Sequence, residues 1–388
     1  MREGWTIMTI GEVALHLSDG SHNPPVGIDF SEYPMLSSKN IFFDSYDYSE
    51  PRYLTKEQFD IENKRTNVSD GDILLTIVGT IGRVCCIKEP FQPFTLQRSV
   101  AVIKPNKNII ISRYLMYCLC GLNAYFNKEA KGVAQKGIYL KQLSKISIPV
   151  PPLQEQERIV AELDLLTGVI DKQKQQLKEL DTLAQSIFYD MFGNPQTDER
   201  GWNMEKLSSI CVSISDGSHN PPKGGKKSDY LMLSSKNIKD GVLSLEEPRY
   251  LSKDEFSLEN KRTNVKKGDI LLTIVGTIGR CCLFDSSKNI VFQRSVAILK
   301  PNDTTNNLFL MYQMIMLRMV FENEAKGVAQ KGIYLRQLGN IMVIVPPKGL
   351  QDSFAQKIQA IESQKQSINR SIAESQKLFD YTMDKYFG

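Results

Sequence analysis

The sequence contains few of the residues that build metal and catalytic centres. It has three histidines, His16, His22 and His219, and no Cys-x-x-Cys pair. These are too few and too scattered for a zinc site. It also lacks an apolar run of the roughly 18 residues that a membrane span needs. The N-terminal residues lack the apolar core of a secretory signal, so we expect a cytoplasmic protein.

Disulfide bonds are also not expected. The seven cysteines are an odd number, and four of them form the adjacent pairs Cys85-Cys86 and Cys281-Cys282. In the cytoplasm we expect them to be reduced. Neighbours on a strand point to opposite faces of a sheet, so we expect one member of each pair to be buried as a small apolar side chain.

The composition has no extreme either. Hydrophobic residues make up 41% and charged residues 24%, and the formal net charge is +4. These values are ordinary for a soluble globular protein and exclude a wholly disordered chain. A length of 388 residues predicts two or three domains.

What the sequence does contain is a large internal repeat. The motif Asp19-Gly-Ser-His-Asn-Pro-Pro25 recurs 197 residues later, and Leu36-Ser-Ser-Lys-Asn-Ile41 recurs at the same distance. The block from Gly71 to Arg83 returns unchanged at 268–280. The block Glu129–Leu140 returns unchanged at 324–335. One large unit is therefore present twice.

Each copy begins with a globular segment, residues 1–150 and 194–345. Short apolar runs such as Ile73–Val78 and Ser99–Ile103 predict strands, and Ser112–Phe126 predicts a helix. Gly, Asn, Asp and Pro separate these runs. The pattern indicates an α+β fold with mainly short strands.

Each copy ends with a different kind of segment, residues 151–193 and 346–388. Pro-Pro precedes each one, and apolar residues then recur every three or four positions, which predicts two long helices. Since the period approaches 3.5, we expect a coiled-coil seam. The globular segment between the helices makes antiparallel pairing the simplest closure, which would relate the two copies by a pseudo-two-fold axis. The predicted seam residues are Leu163, Leu166, Ile170, Leu177, Leu180, Ile187, Ile358, Ile361, Ile368, Ile372 and Phe379, interrupted by Gln173, Lys365, Ser375 and Thr382.

Charge is divided unevenly among these segments. The globular segments carry net charges of +2 and +5, and the helical segments carry −4 and +1. The small total thus hides basic globular parts. Clustered Lys and Arg would suit phosphate binding, although solvated surface charge explains such counts equally well.

Enzymatic motifs find little support. Asn23-Pro-Pro25 resembles the base-holding loop of amino-methyltransferases, but Val26 or Lys223 follows it instead of an aromatic residue. Gly79-Thr-Ile-Gly82 lacks the Gly-Lys-Ser/Thr ending of a phosphate loop and predicts a tight turn. We therefore expect a protein that is not an enzyme, with no catalytic residue, no metal and no cofactor bound by this chain.

Three loops in each copy offer polar groups suited to DNA. Hydroxyl, amide, imidazole and ammonium groups can contact base edges or phosphates. For each loop, a turn whose polar groups are satisfied internally is an open alternative, and Gln97 and Arg98 favour a structural role because their neighbours are apolar. The candidates are Ser21, His22, Asn23, Ser38, Lys39, Asn40, Lys131, Gln135, Lys136 and Tyr139, with Ser218, His219, Asn220, Ser235, Lys236, Asn237, Lys326, Gln330, Lys331 and Tyr334 in the second copy.

These motifs, with Ile148-Pro-Val-Pro-Pro-Leu-Gln-Glu-Gln-Glu-Arg-Ile-Val160 at the start of the first helix, resemble the specificity (S) subunit of type I restriction–modification systems. The second copy has a looser form of this last motif, Val345–Phe354. The resemblance implies two target-recognition domains that each bind one half of a bipartite double-stranded DNA site. It implies that the helices form an antiparallel coiled coil, set the spacing and dock two methyltransferase (M) subunits, which recruit the restriction (R) subunits. S-adenosylmethionine, ATP and Mg²⁺ would then act on the partners.

The duplication adds a prediction about the DNA. Near-identical surfaces in inverted orientation predict a near-palindromic site interrupted by unspecified base pairs. The half-sites could diverge where the copies differ, at Val26–Met35 against Lys223–Met232 and at Val84–Leu96 against Cys281–Phe292. The alternative is a coiled-coil adaptor whose globular segments bind protein partners.

Overall fold

The computed structural model describes residues 4–130, 136–325 and 331–388 and divides the chain into two compact units. Unit 1 comprises Met1–Gln173 and Arg370–Gly388, and unit 2 comprises Lys174–Asn369. Each unit therefore holds one globular segment together with parts of both long helices.

Short strands joined by turns and brief helices make up the globular segment of unit 1, as its Gly- and Asn-rich sequence indicates. The elements are β1 (Thr6–Thr9), α1 (Ile10–Val13), β2 (Ala14–Asp19), β3 (Pro34–Leu36), β4 (Ile41–Phe42), β5 (Ser45–Tyr46), β6 (Arg52–Tyr53), α2 (Lys56–Thr66), β7 (Ile73–Thr76), β8 (Val84–Cys86), β9 (Thr95–Leu96), β10 (Val100–Pro105), α3 (Ser112–Gly121), α4 (Asn123–Glu129), α5 (Leu140–Leu143) and β11 (Ser147–Val150).

A four-stranded antiparallel sheet in the order β2-β10-β7-β8 forms the centre of this segment. A second sheet has the order β6-β3-β9, with β3 parallel to β9. The ends of the segment meet in the antiparallel pair β1-β11. The helix expected over 112–126 is broken at Leu122, where Gly121 lies against Phe387 and weakens the helix.

Both faces of the central sheet are buried. Leu75 and Cys86 belong to one apolar cluster, whereas Leu74 and Cys85 belong to another on the opposite face. The expectation that only one cysteine of each adjacent pair is buried is therefore wrong, and all four are buried. Burial raises the pKa of the Cys86 thiol to about 11, so the group stays an uncharged apolar side chain at neutral pH.

Unit 2 repeats this arrangement, with central sheet order β13-β21-β18-β19 and a second sheet β17-β14-β20. The long helix α6 (Leu153–Phe192) precedes its globular segment. The elements that follow are β12 (Met204–Lys206), β13 (Cys211–Asp216), β14 (Tyr230–Leu233), β15 (Ile238–Lys239), β16 (Val242–Leu243), β17 (Arg249–Leu251), α7 (Lys253–Thr263), β18 (Ile270–Thr273), β19 (Cys281–Leu283), β20 (Asn289–Phe292), β21 (Val296–Pro301), α8 (Asn307–Met316), α9 (Arg318–Glu324), α10 (Leu335–Asn340), β22 (Met342–Ile344) and α11 (Lys348–Phe387).

The starts of α6 and α11 are fixed by a buried glutamine. Gln156 Nε2 donates to the carbonyl oxygens of Pro151 and Ile109, at 2.8 and 2.9 Å, and its Oε1 accepts from Ile111 N. Gln351 makes the matching bonds to Pro346 O and Asn306 N. Each helix is therefore tied to the loop before the main helix of its own globular segment.

Within each unit, the two long-helix segments contact each other. In unit 1 Arg158 Nη2 donates to the Tyr386 hydroxyl at 2.9 Å, and Gln173 Nε2 donates to Ser371 Oγ at 2.7 Å. In unit 2 Lys365 Nζ lies 2.8 Å from Asp181. Early residues of α6 thus meet late residues of α11 in unit 1, and late residues of α6 meet early residues of α11 in unit 2. Among the predicted seam residues, Leu163, Ile170, Ile358, Ile361 and Phe379 are buried, and Leu166, Leu177, Leu180, Ile187, Ile368 and Ile372 are half-buried.

Candidate nucleic-acid interface

The Asp-Gly-Ser-His motif follows β2 and is held against the turn before β10. A Cβ on Gly20 would lie 2.1 Å from the carbonyl oxygen of Leu96, so only glycine allows this approach. Ser21 N donates to Leu96 O at 2.7 Å, and Arg98 N donates to Ser21 O at 2.9 Å. The motif therefore places His22 beside Arg98.

Asp19 organises the side chains around it. Its carboxyl group is 10% exposed; Oδ2 lies 2.8 Å from His22 Nε2 and Oδ1 accepts from Arg65 Nη2 at 2.5 Å. Arg65 Nε also donates to the main-chain oxygen of Asp19, at 2.7 Å. Both carboxylate oxygens are thus used within the protein, which orients the imidazole and offsets the negative charge.

Unit 2 contains the same arrangement. Asp216 Oδ2 lies 2.7 Å from His219 Nε2, and Asp216 Oδ1 accepts from Arg262 Nη2 at 2.5 Å. A Cβ added at Gly217 would lie 2.0 Å from the carbonyl oxygen of Phe292. The shared motif therefore keeps the same aspartate–histidine and aspartate–arginine pairs in both units.

A recess opens next to each Asp–His pair. In unit 1 its volume is about 170 Å³, and in unit 2 about 430 Å³. Apolar side chains line the recess, together with the segment that follows Lys136 in unit 1 and Lys331 in unit 2. The lining includes His22, Ile77, Val78, Arg98, Ile138 and Tyr139, with His219, Ile274, Val275, Arg294, Ile333 and Tyr334 in unit 2.

The Asn-Pro-Pro motif has a structural partner. Arg52 Nη1 donates to Pro25 O at 2.6 Å, and Arg249 Nη1 donates to Pro222 O at 2.6 Å. The turn is thus anchored to the neighbouring strand, while Asn23 and Asn220 are exposed.

The Ser-Ser-Lys-Asn loop is a 3₁₀ turn capped by its own asparagine. Asn40 is 3% exposed; its Oδ1 accepts from Ser37 N, and its Nδ2 donates to Asp47 Oδ1 and Ser49 O. The bond from Ser49 N lowers the pKa of Asp47. Because every polar atom of the amide is used, Asn40 cannot also contact a base edge.

In unit 2 this loop borders a polar cavity of about 1010 Å³. Lys236, Arg249 and Gln293 line it. Ser244 also lines it, at the position where unit 1 has Asp47. The two units therefore differ in charge beside an otherwise shared loop.

Four of the predicted contact residues are buried. Ser21, Ser218, Asn40 and Asn237 are between 3% and 7% exposed. Asn237 accepts from Ser234 N and donates to Glu246 O, as Asn40 does in its own loop. The amides of Asn40 and Asn237 hold their own loops, and burial separates all four side chains from the exposed candidates.

The other candidates stay predictions. Lys131, Gln135, Lys326 and Gln330 lie outside the described residues. Ser38 and Ser235 are half-buried. The exposed candidates are His22, Asn23, Lys39, Lys136, Tyr139, His219, Asn220, Lys236, Lys331 and Tyr334.

The arginines of the recess were not predicted from the sequence. Arg98 and Arg294 are exposed at its rim, although their apolar neighbours favoured a structural role. Arg65 and Arg262, which bind the aspartates, were also missed. The available signal was that Gln-Arg-Ser-Val-Ala and Asn-Lys-Arg-Thr-Asn are unchanged in both copies.

Metal-binding clusters and membrane spans are not found among the described residues. Between residues 4 and 388, leaving out 131–135 and 326–330, no group of three or more His, Cys, Asp or Glu side chains could hold a metal ion. In the same part of the chain, none of the helices combines the length and apolarity needed to cross a membrane.

Comparison with known proteins identifies the family. The sequence profile of the type I restriction modification DNA specificity domain matches residues 2–182 and again residues 199–375. The chain belongs to this family. The two matches coincide with the two copies of the repeat, so each copy is one specificity domain.

Similar proteins in this family span most of the chain. The EcoBI specificity subunit of Escherichia coli is 24% identical over 76% of this chain and 69% of its own length. The MjaVIII specificity subunit of Methanocaldococcus jannaschii is 24% identical over 93% and 87%. The S subunit of M. genitalium has a TM-score of 0.54 at 14% identity, covering 99% of this chain and 96% of that one, which indicates a shared fold.

Proposed function

We propose that this chain is the DNA sequence specificity subunit of a type I restriction–modification complex. Each specificity domain contacts one half of a bipartite DNA site. The observation that carries this is the pair of equivalent, arginine-bearing recesses, one in each of two domains that match the specificity family. A duplicated ligand surface suits a ligand whose recognised features are themselves repeated.

The DNA site is a near-palindrome interrupted by unspecified base pairs. Motifs that shape the recess and the capped loop are unchanged between the copies. The segments 26–35 and 223–232 differ, and Ser244 replaces Asp47 beside the capped loop. Any departure from a palindrome should arise at these positions.

The long helices set the spacing between the half-sites as an antiparallel coiled coil. Support comes from contacts inside each unit: Arg158 of α6 meets Tyr386 of α11 in unit 1, and Asp181 of α6 meets Lys365 of α11 in unit 2. The exposed faces of the helices dock two M subunits, and these recruit the R subunits.

The chain itself is not catalytic in this proposal. S-adenosylmethionine, ATP and Mg²⁺ act on the M and R subunits, and the complex works on cellular DNA in the cytoplasm. The globular segments carry only modest positive charge, +2 and +5, so we expect the isolated chain to bind DNA weakly.

The test is the methylated sequence in cells that express the complete system. We expect an interrupted, near-palindromic motif that disappears when the gene for this chain is deleted. An asymmetric motif would overturn the near-palindrome, and an unchanged methylome after deletion would overturn the function. Capture of protein partners by the nuclease-treated chain, with no DNA binding, would instead support the adaptor.

A further inference from the structure

We propose that each recess beside the Asp–His pair binds one DNA backbone phosphate, with Arg98 and Arg294 as the phosphate ligands and Tyr139 and Tyr334 packed against the adjoining nucleotide. This inference rests on the proposed function. It divides the work within each domain: the recess positions the DNA, and other exposed loops of the domain contact the bases.

Arg98 stands apart from the other arginines of its globular segment. Each of the other arginines donates a side-chain hydrogen bond to a protein oxygen. Arg98 has neither an ion pair nor a side-chain hydrogen bond with any residue that the structure describes. The arginines compared are Arg52, Arg65, Arg83 and Arg113. Its guanidinium group is therefore available for a planar anionic oxygen pair, which phosphate provides.

The main chain holds this arginine in place, although its side chain has no described partner. Arg98 N donates to Ser21 O, and Val100 N donates to Gln97 O at 3.0 Å. Arg294 N donates to Ser218 O at 2.9 Å in unit 2. A fixed main chain reduces the conformational entropy lost when the side chain orders on a ligand.

The charge around the recess favours an anion. At the recess of unit 1, the Asp19 carboxylate already accepts a hydrogen bond from Arg65 and lies beside His22. In unit 2, Arg262 itself lines the recess and also approaches His219 Nε2, at 3.2 Å. The local balance is therefore positive in both units.

A tyrosine stands at the rim. Tyr139 is 64% exposed and Tyr334 is 70% exposed. Their main chain is fixed, since Ile138 N donates to Ile77 O and Ile333 N donates to Ile274 O, each at 2.9 Å. An exposed aromatic ring on a rigid main chain can pack against a sugar or base at low entropic cost.

The repetition points to a contact that is independent of base sequence. Arg98, His22 and Tyr139 have identical counterparts in unit 2, whereas residues 26–35 do not. Phosphate contacts set register and orientation and carry no direct sequence information. A recess that both domains share is consistent with a phosphate contact, because every half-site presents phosphates whatever its bases are.

The experiment measures binding of the full-length chain to a fluorescent duplex of random sequence across a salt series. The variants are Arg98→Gln, Arg294→Gln and the double variant, with Arg98→Lys as the conservative replacement. Lys145→Gln and Lys288→Gln remove an exposed charge elsewhere in the same segments and serve as matched controls. Thermal unfolding of every variant checks that the fold is intact.

Each replacement of arginine by glutamine should make the plot of log binding constant against log salt concentration less steep by about 0.9, because one phosphate is no longer neutralised. Arg98→Lys should keep the wild-type slope, and the lysine controls should change it little. Wild-type slopes in the double variant, or equal reductions in the controls, would overturn the recess while leaving the proposed function standing. Failure of the wild-type chain to bind duplex DNA even at low salt would overturn the phosphate site, whereas the methylome test decides the proposed function separately.

Discussion

The two units attach their globular segments to the long helices by different chemistry. In unit 1 Arg113 of α3 donates to Asp164 of α6 at 2.5 Å and to Asp44 at 2.9 Å. In unit 2 the equivalent position holds Leu308. There the Tyr312 hydroxyl donates to Glu362 at 3.2 Å, and Asn306 Nδ2 donates to Asp352 at 2.7 Å.

Aromatic packing compensates in unit 2. Phe188 and Phe192 of α6 contact Phe309 and Phe354, with ring centroids 4.8 to 5.7 Å apart. At the equivalent of Phe354 in unit 1 stands Ile159. The recess therefore repeats residue by residue, whereas its support differs. Unit 1 combines the Arg113 ion pairs with aromatic contacts such as Tyr114–Phe387, and unit 2 has a larger aromatic cluster. A binding surface constrains particular groups, but a packed junction requires only complementary volume and satisfied polar atoms.

The largest effect should be the same in both units. Gly20→Ala and Gly217→Ala each place a Cβ about 2 Å from a carbonyl oxygen, which forces the motif away from its strand. We expect each to lower the free energy of unfolding by about 3–5 kcal/mol, measured by urea denaturation. Gly168→Ala is the control, because nothing lies within 4 Å of that site in α6 and alanine favours the helix. If only one of these two substitutions had a large effect on the free energy of unfolding, the two loops would not share the same close packing.

The next effect should be confined to unit 1. Arg113→Leu copies the residue of unit 2 but leaves Asp44 and Asp164 without their shared cation. We expect a loss of about 2–3 kcal/mol in the free energy of unfolding, since half-buried charges lose their partner. Arg113→Lys should recover part of it, and Leu308→Ala in unit 2 reports the apolar equivalent. A neutral Arg113→Leu would mean that ionic support is dispensable there.

A smaller effect is expected where unit 2 has the charged residue. Lys365 is 9% exposed and bonds Asp181 and Glu362, at the position equivalent to Ile170. Burial lowers its pKa, but hydrogen bonds to the two carboxylates outweigh this and leave the pKa raised. Lys365→Ala should cost about 1–2 kcal/mol, whereas Lys365→Ile should stay within about 1 kcal/mol of wild type, because apolar packing can replace a buried ion pair. Chemical denaturation measures the free energy of unfolding of both variants. Equal losses in the two would contradict the expectation that apolar packing replaces this ion pair.

The smallest effect is a pH dependence in unit 1. The Tyr386 hydroxyl donates to Glu162 at 2.7 Å and lowers the pKa of that carboxyl group, with Lys385 and Arg158 adding to the effect. The stabilisation by the ionised Glu162 is therefore complete above the ordinary glutamate pKa of about 4.3. It is lost as the pH falls through the lower pKa of the folded state. Because Glu162 is about one-third exposed, we expect less than about 1 kcal/mol.

Unfolding of wild type and Glu162→Gln should thus differ at neutral pH and converge in acid. Tyr386→Phe should reduce the same difference, because it removes the hydroxyl that donates to Glu162. Curves that stay parallel across this pH range would contradict the assignment. Unit 2 has Lys357 at the equivalent position, so this carboxylate contact has no direct counterpart there.

The sequence predicted regular elements well where one periodicity runs over many residues. The apolar repeat and the flanking Pro-Pro and Gly-Asn-Pro indicated a helix over 151–193, and α6 occupies Leu153–Phe192 with Gly193 in the left-handed conformation. It was less successful over 112–126, where a short helix breaks at Leu122. A local propensity could not include Phe387, which is distant in sequence and packs on Gly121.

The candidate site divides along the same line. Repetition of Asp-Gly-Ser-His and of Lys-Gly-Ile-Tyr identified segments that line the recess. It could not tell an exposed His22 from a buried Ser21, because the difference depends on the Leu96 carbonyl. Nor could apolar neighbours show that Arg98 faces outward, because Arg98 lies in the turn between β9 and β10, where strand alternation does not apply.

By itself the sequence determined the duplication, the two long helices and the residue types that each loop contains, since repeats, periodicity and turn chemistry are local properties. The tertiary structure decided which polar groups remain available. Asn40 and Arg98 both appeared as polar side chains in loops, but the folded loop uses up the Asn40 amide on Ser37, Asp47 and Ser49. The Arg98 guanidinium lines the recess without a described partner. Hydrogen bonding is exclusive, so a group satisfied inside the fold is no longer free to bind DNA.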